Sequence, residues 1–410
     1  MLSCYRVLDL TDEKGFLCGK ILADLGADVI KIEKPGGDPS RNRGPFYHDV
    51  PDPEKSLFWF AYNTNKRGIT LNIETSDGKE IFKKLIKNAD FVIESFLPGY
   101  MDEIGLGYSV LSQINRRIIL VSISAFGQTG PFANFKASDI TVFAMGLLMS
   151  QCGDPDRAPV QVTFPQSFIN ASADAAVGAM VAHYYREIKG EGQQVDVSAM
   201  ESVLVVTTDI QPKWFMLRKD TKRCGHFFED GRKKHAPIVW KCKDGHVSFF
   251  LQGGGPGART NRLLIEWMND EDKAPKYLIE KDWEKWDWES STQEEIDSIT
   301  LPIANFLESH TKKEIEAEAV RRNIMLYPVN TSKDIFENLQ LKERDFWIKV
   351  KHDELGDVLT YPGAFCKCSE TPISIRQRPP LIGEHNEEIY IKELGFSKEE
   401  ISVLKQSGII

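Results

Sequence analysis

The residues of this 410-residue chain that could do chemistry fall in a few short stretches. One runs Ile21-Leu-Ala-Asp-Leu-Gly-Ala-Asp-Val-Ile-Lys-Ile-Glu-Lys-Pro-Gly-Gly-Asp38. Its Pro35-Gly36-Gly37 turn ends the apolar run of Val29, Ile30 and Ile32 at the carboxyl side, where open α/β sheets hold their ligands. A second, Gln252-Gly-Gly-Gly-Pro-Gly257, is too irregular for a phosphate-binding loop, which needs a lysine and a hydroxyl residue after its glycines. It reads as a flexible loop. The seven cysteines are scattered, with no CxxC pair to suggest zinc or a redox centre, and Cys366 and Cys368 stand one residue apart. No metal-ligand set emerges. Asp282-Trp-Glu-Lys-Trp-Asp-Trp288 reads as packing surface, within its domain or against a partner, in preference to a ligand site.

These stretches must be positioned by regular elements. Gly26 is the type of residue that closes a helix with positive φ, so the chain from about Gly15 to Leu25 reads as a helix after a first strand at Arg6–Leu10. Further strands are expected near Asn63–Ile73, Ala89–Glu94, Arg117–Ser124 and Lys189–Ser198, with helices from Asp77 to about Asn88, over Ser138–Met149, and from Ala171 to about Ile188. Trp240–Phe250 alternates like an exposed strand. Strand–helix alternation with Gly/Pro loops at the strand ends argues α/β architecture, a doubly wound Rossmann-like parallel sheet. The length implies roughly two or three domains of ~150 residues. Net charge is −9 and the isoelectric point about 5.6, which argues against a nucleic-acid surface but leaves room for a local basic pocket. No run approaches the ~18 apolar residues of a membrane helix. The start, Met1–Arg6, lacks a signal pattern, so a cytoplasmic protein with reduced thiols is expected.

The wording of the first stretch, Leu-Gly-Ala-Asp-Val-Ile-Lys-Ile-Glu-Lys-Pro-Gly-Gly-Asp with Arg41 and Gly44-Pro45 beyond it, resembles the family III CoA-transferases. That family also holds the formyl-CoA, carnitine and bile-acid CoA-transferases and the α-methylacyl-CoA racemases. Tyr327–Ile335 and Pro379–His385 resemble its closing motifs, so the resemblance covers nearly the whole chain. It implies a large Rossmann-like domain over residues 1–224, a small α+β domain over 225–323, and a return to the large domain over 324–410. It further implies an interlocked ring of two subunits, no permanently bound cofactor, and CoA or acyl-CoA as substrate. Carried over residue by residue, the CoA contacts are Lys34, Leu71, Ser95, Phe96, Ile104 and Lys136. The two ammonium groups suit phosphates as point charges, although an exposed lysine is as readily a solvated surface residue. Leu71 and Phe96 could sandwich an adenine or belong to the core. Three departures stand out: Thr11-Asp-Glu-Lys-Gly-Phe16 replaces an Ala-Gly-Pro turn, Glu74 and Glu103 stand where relatives can carry basic residues, and Glu191 replaces a base.

The family reaction uses a carboxylate that attacks the donor thioester to give a mixed anhydride; the CoA thiolate then returns to form an enzyme-bound thioester, and the acceptor carboxylate reverses the sequence. The family aspartate falls here at Ser167, or at Phe168 with one gap. A serine without an adjacent base is a weak nucleophile, and its ester would be a sink. The racemase histidine falls at Ser138, so that acid–base chemistry is missing too. Asp139 and Asp174 are the nearest carboxylates. The resemblance therefore points to the non-catalytic chain of a heteromeric CoA-transferase, paired with a homologous chain that keeps the aspartate. The expected partners are an acyl-CoA donor such as succinyl-CoA and a small acid such as (R)-benzylsuccinate, in anaerobic aromatic degradation. Two alternatives stay open: a homodimeric transferase using Asp139 or Asp174, and a non-enzymatic CoA-ester-binding protein.

Overall fold

The computed structural model describes residues 1–229 and 234–410; residues 230–233, inside the expected small domain, lie outside the described residues. The chain divides into two compact units. One contains Met1–Met149, Gln161–Lys219 and Gln340–Ile410, the other Ser150–Val160 and Asp220–Leu339.

The first unit runs β1 (Arg6–Asp9), α1 (Phe16–Asp24), β2 (Asp28–Glu33), α2 (Leu57–Tyr62), β3 (Lys66–Thr70), α3 (Ser76–Ile86), β4 (Phe91–Glu94), α4 (Tyr100–Glu103), α5 (Tyr108–Ile114) and β5 (Ile119–Ser124). It continues with α6 (Asp139–Met145), α7 (Ser167–Lys189), β6 (Gln194–Ser198), α8 (Ala199–Val205) and α9 (Ile210–Leu217). The strands form one parallel sheet in the order β3-β2-β1-β4-β5-β6. The order reverses between β1 and β4, the place where doubly wound sheets open a crevice at their carboxyl ends. Every residue of β4 and β5 is buried, as expected for strands covered on both faces. Leu8, Ile30, Ile69, Val92 and Leu120 pack with Phe82 and Leu85 of α3 on one face. Val7, Val29, Phe91, Val121 and Ile123 pack on the other with Ala171, Ala175, Ala179 and Ala182 of α7. The small residues of α7 let it approach closely: a Cβ on Gly178 would come within 2.8 Å of Val195.

A buried charge cluster fixes the carboxyl end of β1. The Lys66 ammonium donates to Asp9 Oδ2 at 2.8 Å, to the Phe16 carbonyl at 2.9 Å and to Asn63 Oδ1 at 2.9 Å. Asp9 Oδ1 accepts from the Thr11 N–H at 3.0 Å and its hydroxyl at 2.6 Å, and Lys31 stands 3.7 Å away. Burial by itself would push the Asp9 carboxyl up, but the Lys66 and Lys31 ammoniums outweigh it and hold the group below its usual range. Nearby, Arg41 donates to both oxygens of Glu33, at 2.6 and 2.8 Å, and stacks 3.7 Å over Trp59. Arg41 thereby clamps the loop containing Gly36 and Gly37, both at positive φ, with values of 94° and 91°.

The second unit contains β7 (Phe227–Glu229), β8 (His235–Pro237), β9 (Val239–Cys242), β10 (Gly245–Phe249), α10 (Gly255–Asp270), α11 (Lys276–Ile279), α12 (Gln293–Glu308), α13 (Lys312–Arg322), β11 (Leu326–Pro328) and α14 (Ser332–Glu337). Its sheet is β11-β10-β9, antiparallel. Trp283, Trp286 and Trp288 are buried in its core with Trp240 and Trp267, so the acidic aromatic stretch packs within the unit. The chain then returns to the first unit through α15 (Leu339–Glu343), β12 (Trp347–His352), β13 (Asp357–Pro362), a π-helical segment at Glu387–Glu393 and α16 (Lys398–Gln406).

Several expected boundaries are corrected. Trp240–Phe250 is a hairpin whose strands turn at Lys243-Asp244, and it buries Trp240, Cys242, Val247 and Phe249; it is not one exposed strand. Gln252–Gly257 is a short connection, with Gly254 at φ 78° and Gly255 already opening α10. The helix at Ser138 stops at Met145, followed by Gly146 and by Leu147 at φ 75°. The long helix starts at Ser167, four residues before the expected Ala171.

Replacing Lys66 with Met leaves Asp9 buried without its main partner and should cost about 3–5 kcal/mol, read as a lower denaturant midpoint. Asp9→Asn/Lys66→Met should recover much of that loss. A single variant as stable as the parent would contradict the role given to this pair.

Candidate active site

The loops leaving β1 and β4 part at the reversal point of the sheet, and Asp12 and Ser95 meet there. Ser95 Oγ donates to Asp12 Oδ1 at 2.8 Å and accepts the Asp12 N–H at 2.9 Å. Beside them Glu94, 4% exposed, ends β4 and accepts the Phe96 N–H at 2.8 Å. Burial pushes the Glu94 carboxyl up to about 7, against the smaller pull of hydrogen bonds from Ser122 and Phe96.

A cavity of about 1080 Å³ opens in the same unit over the β1–α1 loop, α2 and the starts of α6 and α7. Leu17, Phe58, Tyr62, Ile140, Phe164 and Phe168 give it an aromatic and aliphatic wall. Its two cations are paired: Lys14 lies 3.0 Å from Asp12, and Arg43 pairs with Glu13 while lying 4.4 Å over the Phe58 ring. Ser138, Asp139 and Phe168 all line it.

The start of α7 shows how these residues are held. Asp139 Oδ2 accepts from the Gln166 N–H at 3.1 Å and Gln161 Nε2 at 3.2 Å, and its Oδ1 accepts the Phe168 N–H at 3.2 Å. The carboxylate thus satisfies the free amides at the amino end of α7, where negative charge is favoured by the helix dipole. Ser167 has no exposed surface, and its Oγ donates to the Asp139 carbonyl at 3.0 Å. Asp174 is exposed and does not line the cavity. It sits two residues beyond Ser172, which does, and so about 200° around the helix.

The carried-over contacts lie mainly at the strand ends. Lys34 follows β2, exposed, and its ammonium donates to Glu74 Oε1 at 2.9 Å; the Tyr100 hydroxyl donates to the same oxygen at 2.7 Å. Phe96 is half-buried against Tyr100, with ring centroids 4.7 Å apart. Leu71 is 1% exposed within the core, so its side chain has no face to offer a ring. Ile104 is partly buried against that core, and Ser95 is committed to Asp12. Lys136 is exposed on the loop after β5 with no ion pair among the described residues. Glu103 is exposed on α4, and Glu191 pairs with Arg116. Lys34, Glu74, Tyr100 and Phe96 form one chain of contacts, while Ser138, Asp139, Ser167 and Phe168 form another.

The model of CoA-transferase family III matches residues 2–386. The chain belongs to that family. It is 34% identical over 411 residues to the succinyl-CoA:(R)-benzylsuccinate CoA-transferase subunit BbsE of Thauera aromatica, covering 100% of this chain and 98% of that one. It is 31% identical over 415 residues to the formyl-CoA:oxalate CoA-transferase of Streptomyces avermitilis, covering 99% and 98%. Among solved structures, a CAIB/BAIF family protein from Brucella suis superposes with a TM-score of 0.78 at 26% identity, covering 95% of this chain and 98% of that one. CoA thioesters are accordingly the substrates that family III membership implies. No helix among the described residues is long and apolar enough to cross a membrane.

Arg43, Phe58, Tyr62 and Phe164 were not legible in the sequence, because the cavity is assembled from separated segments. The Gly44-Pro45 turn was the nearest signal to Arg43. In the sequence Glu94 shows only as the last residue of a strand.

Asp139→Ala should cost about 1–2 kcal/mol, the scale of a lost helix cap, and raise amide exchange at Gln166 and Phe168. Unchanged exchange there would rule out the capping role. Glu94 makes a pH-dependent contribution of known sign. Its carboxyl ionises at a lower pH in the unfolded chain, so stability falls as pH rises from about 4.5 through 7. Glu94→Gln should therefore gain up to about 3 kcal/mol over the parent above pH 7, with the gain fading below pH 4.5 in melts run across pH. A gain independent of pH would contradict it.

Proposed function

We propose that this chain is the subunit without a nucleophile in a two-chain family III CoA-transferase. The carrying observation is Ser167, the position of the family aspartate, whose hydroxyl is fully buried and given to the Asp139 carbonyl. Phe168, the alternative position, has no group that can attack a thioester. The partner chain, homologous to this one and keeping the aspartate, does the chemistry. Its carboxylate attacks the donor thioester and expels CoA thiolate, the thiolate returns to the anhydride to leave an enzyme-bound thioester, and the donor acid departs. The acceptor acid then reverses both steps and leaves as its CoA thioester. The similarity to the Thauera subunit favours succinyl-CoA as donor and (R)-benzylsuccinate as acceptor. Anaerobic aromatic degradation in the cytoplasm is the setting this reading implies.

Two further features support this assignment. Helix α7 exposes Val177, Val181, Tyr184 and Ile188, at spacings that align along one face, and α9 exposes Phe215, Met216 and Leu217. Apolar surface of that kind marks a protein–protein interface. The CoA subsite assigned to Lys34, Leu71, Ser95, Phe96, Ile104 and Lys136 is weakened, because Glu74 already neutralises Lys34 and Asp12 occupies Ser95. One observation favours a second reading, a homodimeric transferase with a displaced carboxylate: Asp139 lines the cavity. Its engagement by three N–H donors argues against that, since hydrogen-bonded lone pairs make a poor nucleophile.

Succinyl-CoA-dependent transfer to (R)-benzylsuccinate, measured for this chain, for an Asp-bearing homologue and for both co-expressed, tests the proposal. Activity should appear only in the co-expressed sample. Transfer by this chain alone overturns it.

A further inference from the structure

Cys366 and Cys368 form a chemical motif that the proposed transferase role leaves unused. Both are free and half-buried, in the irregular segment after β13. Both line a cavity of about 230 Å³, together with Arg344, Phe346 and Lys367. Burial and the adjoining Cys368 thiol push the Cys366 thiol above its ordinary pKa, so the two sulfurs feel each other directly. The Arg344 and Lys367 side chains line the same cavity. Lys367 is held loosely, 4.0 Å from Asp345. Among the described residues no group of three or more His, Cys, Asp or Glu side chains could hold a metal ion, which argues against a zinc-type centre. By contrast Cys18 and Cys242 are sealed in the cores.

We propose that Cys366 and Cys368 are a reversible dithiol–disulfide site that reacts with low-molecular-weight disulfides. Two adjacent thiols resist carrying two charges, so one ionises and attacks while the other keeps its proton and resolves. The raised Cys366 takes the resolving role. The Cys368 thiolate attacks one sulfur of a disulfide RSSR, forming a mixed disulfide and expelling one thiolate. Cys366 then loses its proton and displaces the second thiolate, closing the intramolecular bond. The pair gives up two electrons and two protons, and RSSR becomes two RSH. The segment carrying the pair continues to Ser374 and Gln377, whose carbonyls accept from Asn65 just ahead of β3, at 2.9 and 3.1 Å. Ring closure therefore acts on a tie between the returning chain and the sheet.

The test is peptide mass mapping of the full chain equilibrated with oxidised and reduced glutathione. Wild type should lose two hydrogens on the peptide carrying both cysteines and regain them with dithiothreitol, while Cys18 and Cys242 stay reduced. Cys366→Ser should stop at one glutathione attached to Cys368, and Cys368→Ser should acquire its adduct at least tenfold more slowly. Wild type that accumulates stable glutathione adducts, or that pairs either thiol with another cysteine, overturns the proposal. So does wild type that stays fully reduced under oxidising glutathione. None of these readouts depends on transferase activity.

Discussion

The Asp139 carboxylate lies across the amino end of α7, and the arrangement of the cavity follows from that contact. A helix that begins inside a protein brings amides with no partner in their own helix. Here two backbone amides, those of Gln166 and Phe168, are answered by one side chain from the start of another helix. The same residue's carbonyl takes the Ser167 hydroxyl. With its start fixed in this way, α7 presents Phe168, Ile169 and Ser172 to the cavity and directs Asp174 elsewhere. The amino end of α7 therefore carries a buried hydroxyl at Ser167 and an aromatic ring at Phe168.

Charge placement in the rest of the unit pairs most, though not all, of the cations near the strand ends. A phosphate subsite works by leaving cations and amides unpaired until the ligand arrives. Lys34 is instead paired with Glu74, Lys14 with Asp12, and Arg43 with Glu13. Three of the fully buried cations, Lys31, Lys66 and Arg41, hold β1 and the glycine loop together and have no surface to give a ligand. A phosphate arriving at Lys34, Lys14 or Arg43 would have to displace a carboxylate that is already in place, whereas Lys136 carries no ion pair among the described residues.

The parallel sheet was legible because its strands are continuous apolar runs bounded by Gly and Pro, and Gly26 closes α1 at φ 108° as its type implied. The start of α7 was not, because its cap comes from Asp139 in a distant segment, and local pattern records only caps adjacent in sequence. The hairpin at Trp240–Phe250 was missed because alternation continues on both sides of a two-residue turn, leaving only Asp244-Gly245 to mark it. For Leu71 the sequence left core and ring contact open, and burial places the side chain in the core. The cavity wall was illegible for a geometric reason: Arg43, Phe58, Tyr62 and Phe164 come together only once α2 and α7 are packed on the sheet.

The most direct measurement is to trap the enzyme-bound thioester and ask which chain holds it. The assembled two-chain enzyme is mixed with succinyl-CoA and quenched with hydroxylamine, which converts an aspartyl thioester to a stable hydroxamate, and both chains are mapped by mass. A hydroxamate on the partner chain alone is the predicted result. One on Asp139 or Asp174 of this chain would contradict its assignment as the subunit without a nucleophile.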